Sequence, residues 1–216
     1  MIINFIGHSS FLLKTSTGKR ILTDPYNLDI GYKTFDSEVD LITISHLHFD
    51  HSCTDNFSKE VKIIRECIEF ENTFCKVTGF QSYHDNYKGQ KRGDNIIFKI
   101  EADNLSICHL GDLGHILNEE MIKRLGNIDV LFVPVGEIYT IALKDLKKII
   151  EMISPKYIIP MHYKTAELSF TLKPIDEFLL IMKEYPKERL ETLSLSKEEL
   201  TDEMSKIIIL EIFKDK

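Results

Sequence analysis

Val39-Asp40-Leu41-Ile42-Thr43-Ile44-Ser45 runs directly into His46-Leu47-His48-Phe49-Asp50-His51. The first seven residues have the β-branched, apolar content of a buried strand. The next six place three histidines and a carboxylate where that strand ends. A lone histidine is commonly a structural residue, but three imidazoles and Asp50 crowded at one strand end gain nothing in packing. Imidazole and carboxylate donors together suit zinc, manganese or iron. His46 and His48 stand two apart, so on an extended segment they project to the same side. Asp50 and His51 come after the chain turns and can face a second position nearby. The run is therefore expected to furnish half of a site for two divalent ions, Zn2+ first, with Mn2+ and Fe2+ open. Two such ions can share an activated water and clamp an oxyanion.

Four residues do not complete two sites, so partners are expected at other strand ends. His84 closes Phe80-Gln81-Ser82-Tyr83, Asp112 follows the strand at 105–109, and His162 follows the apolar strand at 157–160. These three join His46, His48, Asp50 and His51 as the candidate metal ligands. Asp50 is also a candidate to orient the nucleophile or take its proton. His8, in Gly7-His8-Ser9-Ser10, is a candidate pocket residue, and His115 a candidate proton donor to the leaving group. Arg92, Tyr139 and Lys164 are candidates for contact with an anionic substrate. His109 reads as buried structure and Cys53 as packing.

Farther out, strands are expected at 2–6, 10–14, 20–23, 62–66, 74–78, 96–101, 105–109, 129–133, 157–160, 189–195 and 206–213. Helices are expected near 118–125, 142–153 and 175–184. Strands first, then strand–helix alternation, point to a layered α/β architecture with helices on the sheet faces, in one sheet or two. No repeat or linker divides residues 1–216, which read as one domain. The chain is 43% hydrophobic and 28% charged, which excludes a disordered or fibrous chain. Its net charge of −7 argues against a broad nucleic-acid surface. Met1-Ile2-Ile3-Asn4-Phe5 reads as a first strand rather than a signal peptide, and no run approaches a membrane span. Cys53, Cys67, Cys75 and Cys108 form no CxxC pair. Reduced thiols and a cytoplasmic location are the expectation.

The run His46-Leu47-His48-Phe49-Asp50-His51 resembles the HxHxDH signature of the metallo-β-lactamase fold superfamily. The chain is similar to its branch of Zn-dependent hydrolases that includes the ascorbate-6-phosphate lactonase-like proteins. Further resembling segments are Gly7-His8-Ser9-Ser10, Asp24-Pro25, His84-Asp85, Arg92-Gly93-Asp94-Asn95, His109 to His115, Pro134-Val135-Gly136 and Pro160 to Thr165. The resemblance implies a four-layer αββα sandwich with metals at one edge between the sheets. It also implies one metal on His46, His48 and His84, a second on Asp50, His51 and His162, and Asp112 bridging them. One departure is Glu137, where close relatives often have a second glycine. If that loop lined the pocket, the carboxylate would bear on substrate preference. No motif is recognisable after about residue 166.

The function these readings imply is metal-dependent hydrolysis of an ester, lactone or phosphodiester bond in a small molecule. No nucleophile-elbow GxSxG is present, and metals make a Ser–His–Asp triad unnecessary. The alternatives are a nuclease on the same core, and a non-hydrolytic diiron or metal-binding protein. A homo-oligomer is compatible with the sequence, whereas a membrane partner is not expected.

Overall fold

The computed structural model describes residues 1–200 and 204–214. Two sheets face each other. The six-stranded sheet contains β1 (Ile2–Gly7), β2 (Ser10–Lys14), β3 (Arg20–Thr23), β4 (Leu41–Thr43), β5 (Lys62–Ile64) and β13 (Leu193–Ser194), in the order β13-β1-β2-β3-β4-β5. The eight-stranded sheet contains β6 (Glu69–Glu71), β7 (Lys76–Tyr83), β8 (Asp94–Ala102), β9 (Leu105–His109), β10 (Val130–Pro134), β11 (Tyr157–Met161), β12 (Lys187–Leu190) and β14 (Lys206–Leu210). Its order is β12-β14-β11-β10-β9-β8-β7-β6. Pairing is parallel from β9 through β10, β11, β14 and β12, and antiparallel from β6 to β9.

The period-two pattern sorts side chains between layers. Phe11, Leu13, Ile21 and Leu41 point inward to meet Phe98, Ile107, Phe132 and Ile159. Phe11 and Phe132 stack across the seam, with ring centroids 3.9 Å apart. Ile97, Cys108, Leu131, Val133, Ile158 and Ile207 point to the other face of the larger sheet. There they are covered by α1 (Glu119–Leu125), α2 (Leu143–Ile153) and α3 (Asp176–Ile181). The αββα order is thus as expected on this side. On the smaller sheet, Leu12, Leu22 and Ile42 are covered by Tyr26, Ile30, Tyr32, Leu168 and Leu172, from loops and a 3-10 turn. The fourth layer is irregular chain rather than full helix.

Strand β9 spans the residues expected. The predicted strand at 74–78 extends to an eight-residue β7 through Gly79. The added side chain of any other residue there would lie 2.6 Å from the Glu66 carbonyl oxygen. The single strand expected over 189–195 is two strands, β12 and β13, in different sheets. The helix expected at 175–184 is shorter, because the chain turns at Met182. Among the described residues no helix is long and apolar enough to cross a membrane.

Strands β1, β3, β4, β7, β9 and β11 all finish at the same edge of the sandwich. Two main-chain hydrogen bonds join the sheets there: His162 N–H to the His8 carbonyl (2.8 Å) and Ile96 N–H to the Ser45 carbonyl (2.8 Å). The resulting junction sets the loops that carry chemistry at carboxyl strand ends.

Candidate metal centre

Each of those strands delivers a polar residue as it ends. They are His8 after β1, Asp24 after β3, His46 after β4, His84 after β7, Asp112 after β9 and His162 after β11. All are buried. His8, Asp24 and His162 hold the left-handed backbone conformation, with φ of 54°, 39° and 52°. That conformation is costly for side-chain-bearing residues and concentrates at functional sites. Gly111, φ 57°, admits the Asp112 turn, since a side chain there would sit 2.2 Å from Asn95 Oδ1.

Asp112 lies at the centre. Its Oδ2 is 3.0 Å from His162 Nε2, 3.3 Å from His84 Nε2, 3.4 Å from His51 Nε2 and 3.9 Å from His46 Nε2. On one side His46, His48 and His84 converge; on the other, His8, Asp50, His51 and His162 do so. All seven expected ligands therefore meet at one edge, together with His8. His8 Nε2 is 3.1 Å from Asp50 Oδ2 and 3.2 Å from His51 Nε2.

The hydrogen bonds around the cluster fix which ring nitrogens are bare. Asp24 accepts from the Ser45 N–H (2.7 Å), from Ser45 Oγ (2.5 Å) and from His51 Nδ1 (2.9 Å). Ser45 Oγ, having donated to Asp24, accepts from His46 Nδ1 at 2.9 Å. One carboxylate thus orients two imidazoles so that both Nε2 atoms face Asp112. His46 Nε2 and Asp112 Oδ1 are buried without a hydrogen-bond partner. Buried lone pairs converging without a proton between them are what a cation satisfies. A metal about 2.0–2.2 Å from each donor separates neighbouring donors by roughly 3.0–3.6 Å, and most of these distances fall there. The residues fit a metal.

The charged groups of the cluster also shift one another. Burial would lower His51, but Asp112, Asp24 and Asp50 raise it well above the ordinary histidine range. Burial and His51 push His46 well down, and burial with His162 takes His8 down to about 4. Burial works against the Asp112 carboxylate, yet His162 and His51 hold it well below the usual range.

The remaining candidates divide. Arg92 and Tyr139 come together beside His84, the guanidinium 4.9 Å from the ring centroid, and line a cleft of about 560 Å³. His115 lines the same cleft, but Tyr83 N–H donates to its Nε2 (3.2 Å) and its Nδ1 lies 2.9 Å from the Ile116 carbonyl. Both nitrogens serve the main chain, so the ring buttresses a loop and has no free proton to deliver. Lys164 also departs from expectation. Its ammonium caps the carbonyls of Leu168 and Phe170, tying the 164–173 loop. Glu137 does not face the pocket. Its carboxylate accepts from Leu143 N–H (2.9 Å) at the start of α2 and pairs with Lys173 (2.6 Å). Its φ of 53° is the left-handed conformation that glycine adopts without a side-chain penalty.

His109 is buried structure as expected, its Nε2 2.8 Å from the Ser9 carbonyl. Asp24 and Asn95 carry roles the sequence reading did not assign. Asn95 Oδ1 accepts from Asp112 N–H (2.9 Å) and its Nδ2 donates to the Leu110 carbonyl (2.9 Å). For Asp24 the available signal was its place at a strand end directly before Pro25.

Fold and site together define a metal-dependent hydrolase. The chain belongs to the beta-lactamase superfamily, whose domain model matches residues 2–162. It is 29% identical over 191 residues to the UPF0173 metal-dependent hydrolase NEQ378 of Nanoarchaeum equitans, covering 76% of this chain and 85% of that one. It is 29% identical over 201 residues to a UPF0173 metal-dependent hydrolase of Bacillus mycoides, covering 76% and 86%. Among solved structures, the metallo-beta-lactamase superfamily protein tm0207 of Thermotoga maritima is 33% identical, with a TM-score of 0.76 over 97% of this chain and 98% of that one. The metallo hydrolase Igni18 of Ignicoccus hospitalis, at 19% identity and a TM-score of 0.68 over 99% and 96%, shares the fold.

Proposed function

We propose that this chain hydrolyses an ester, lactone or phosphodiester bond of a small molecule with two divalent metal ions, zinc first among them. The observation that carries this reading is the position of Asp112 Oδ2, within 3.9 Å of four imidazole Nε2 atoms drawn from both groups of donors. In this reading His46, His48 and His84 would hold one ion and Asp50, His51 and His162 the other, with His8 beside the second group and Asp112 facing both.

Bound divalent ions acidify water and polarise a carbonyl or phosphoryl oxygen. The chain's own residues prepare that chemistry. Asp24 and Ser45 fix the tautomers of His51 and His46. Asp50, one of whose oxygens is held by His8, is placed to orient the attacking water or take its proton. His48 is the exposed member of its group, so substrate reaches the site from that side.

Elemental analysis of freshly purified protein, followed by a hydrolase panel with each divalent metal, tests the proposal. Two ions per chain and metal-restored turnover of an ester, lactone or phosphodiester are expected. Metal content near zero after reconstitution overturns it. So does unimpaired metal binding after combined loss of His46, His48 and Asp50.

A further inference from the structure

The loop between β7 and β8 is built on one carboxylate. Asp85 accepts four main-chain N–H groups: Tyr87 (2.7 Å), Gly89 (3.0 Å), Lys91 (2.9 Å) and Arg92 (2.8 Å). Burial works against that carboxylate, but the N–H groups, Arg92's first, hold it down to about 2. That carboxylate, on the wall of the cleft beside His84, is therefore spent on the loop itself. Asp145, also on the cleft wall, is 2.7 Å from Lys148.

What the loop presents is cationic. Lys91 Nζ lies 3.7 Å from the Tyr87 ring centroid, and the Arg92 guanidinium lies over Tyr139. Among the described residues neither cation has an ion-pair partner. The cleft they rim has His84 on its wall, and Arg92 also borders a second cleft of about 560 Å³ with His46, His48 and Arg65. Two unpaired cations beside the metal ligands stand out in a chain of net charge −7. A guanidinium lying over an aromatic ring keeps its N–H fork free for a planar or tetrahedral anion.

We infer that Arg92, with Lys91 beside it, forms an anion subsite for the substrate's non-reacting end. The substrate class is then a small molecule that carries a phosphate or carboxylate besides the bond to be cleaved. The inference rests on the proposed hydrolytic reading, since it places the subsite relative to the metal donors. Tyr139 holds the guanidinium over its ring and so positions it. Asp85 fixes the main chain from which the Arg92 side chain reaches, and that main chain is untouched by side-chain substitution at position 92.

The test separates this inference from the metal reading. Metal-free protein is titrated calorimetrically with inorganic phosphate and with acetate, wild type against Arg92→Ala, Arg92→Lys and, as a control far from the cleft, Lys197→Ala. Charge-assisted hydrogen bonds of this kind predict about a tenfold or greater rise in Kd for Arg92→Ala. Arg92→Lys should recover part of it, and Lys197→Ala should leave Kd unchanged. Which anion responds assigns the phosphorylated or the carboxylated class. On metal-loaded protein, KM for the succinate half-ester of p-nitrophenol should rise in Arg92→Ala with kcat unchanged, while p-nitrophenyl acetate should not respond. Anion binding that is absent in the wild type, or equal in Arg92→Ala, overturns the subsite and leaves the metal content unaffected. Loss of metal with anion binding intact overturns the metal reading alone.

Discussion

Where β7 begins and β8 finishes, the sandwich carries a cleft of about 510 Å³ lined by Lys76, Lys99, Glu101, Asp103, Asp129 and Lys197. At the opposite ends of the same strands lies the cleft of about 560 Å³ beside His84. Volume does not separate them; the state of their charges does. At the first, Lys76 meets Glu69 (2.9 Å), Lys99 meets Glu101 (3.7 Å), Lys197 meets Asp129 (2.7 Å), and the Met1 amine lies 3.4 Å from Asp103. At the second edge, His46 Nε2 and Asp112 Oδ1 are buried with no partner, and Arg92 and Lys91 face aromatic rings instead of carboxylates. Buried polar groups left unsatisfied are costly, and donors that converge without partners, unlike the lone Ser106 Oγ at the first cleft, are what a cation completes. Backbone strain does not separate the two edges: His8, Asp24 and His162 are left-handed at the second edge, and Asp103 and Asn104 are left-handed in the β8–β9 turn at the first.

Asp112→Asn is the strongest way to break this contrast. The substitution preserves shape and the main-chain bond to Asn95, and removes the charge that four imidazoles face. Metal content should fall by at least one ion per chain, and hydrolysis of any responding panel substrate by about a thousandfold. Elemental analysis beside the rate assay checks both. Wild-type metal content would show that the unpartnered atoms mark nothing.

Asp24→Asn acts one step away from the proposed metal donors. An amide cannot accept from His51 Nδ1, the Ser45 N–H and Ser45 Oγ as the carboxylate does, so His51 and His46 lose their fixed tautomers. Metal affinity should drop about 10–100-fold, read by competition with a chromophoric chelator. An unchanged affinity would mean the rings are held by packing alone.

These two residues also show what the sequence could and could not reveal. Asp112 was legible because a carboxylate stood directly after a strongly apolar strand, in phase with a histidine run already found. The strand-end rule also reached His84 and His162. Asp24 obeyed the same rule, but its role depends on Ser45 lying between it and His46, a three-body contact with no sequence spacing of its own. His8 joined the second group of donors because the β1–β2 turn is tied to the end of β11 across 154 residues of chain. Lys164 and Glu137 went the other way. Both were placed near the pocket by position, yet the folding of the 164–173 loop gave Lys164 carbonyls to cap and brought Lys173 to Glu137. Similarly, nothing local told β12 from β13, because only tertiary pairing assigns them to different sheets.

Glu137 offers a sharper and smaller test, because it lies near the second cleft but serves the scaffold. Helix α2 has Ala142 at its N-cap with no side-chain cap, and Glu137 supplies the missing acceptor to Leu143 N–H. Glu137→Ala should cost about 1 kcal/mol in chemical denaturation, the worth of a helix cap. Glu137→Gly loses the same cap but relieves the positive φ, so it should be the more stable of the two by about 1 kcal/mol. Neither should change metal content. If either did, the loop would belong to the metal centre and the division between unspent and spent groups would have to be redrawn around it.

Lys197→Ala, at the other end, has the smallest expected effect. The ammonium is half exposed and its partner Asp129 keeps a second bond, from Ser106 N–H (2.8 Å). An ion pair of this exposure contributes within about 0.5 kcal/mol, and that is the stability change expected. Metal content and hydrolysis should match wild type, because each lysine lining this cleft already has a carboxylate partner. A change in turnover would show that paired charges at one end of these strands still communicate with donors at the other. The cleft volume would then have been a better guide to function than the state of its charges.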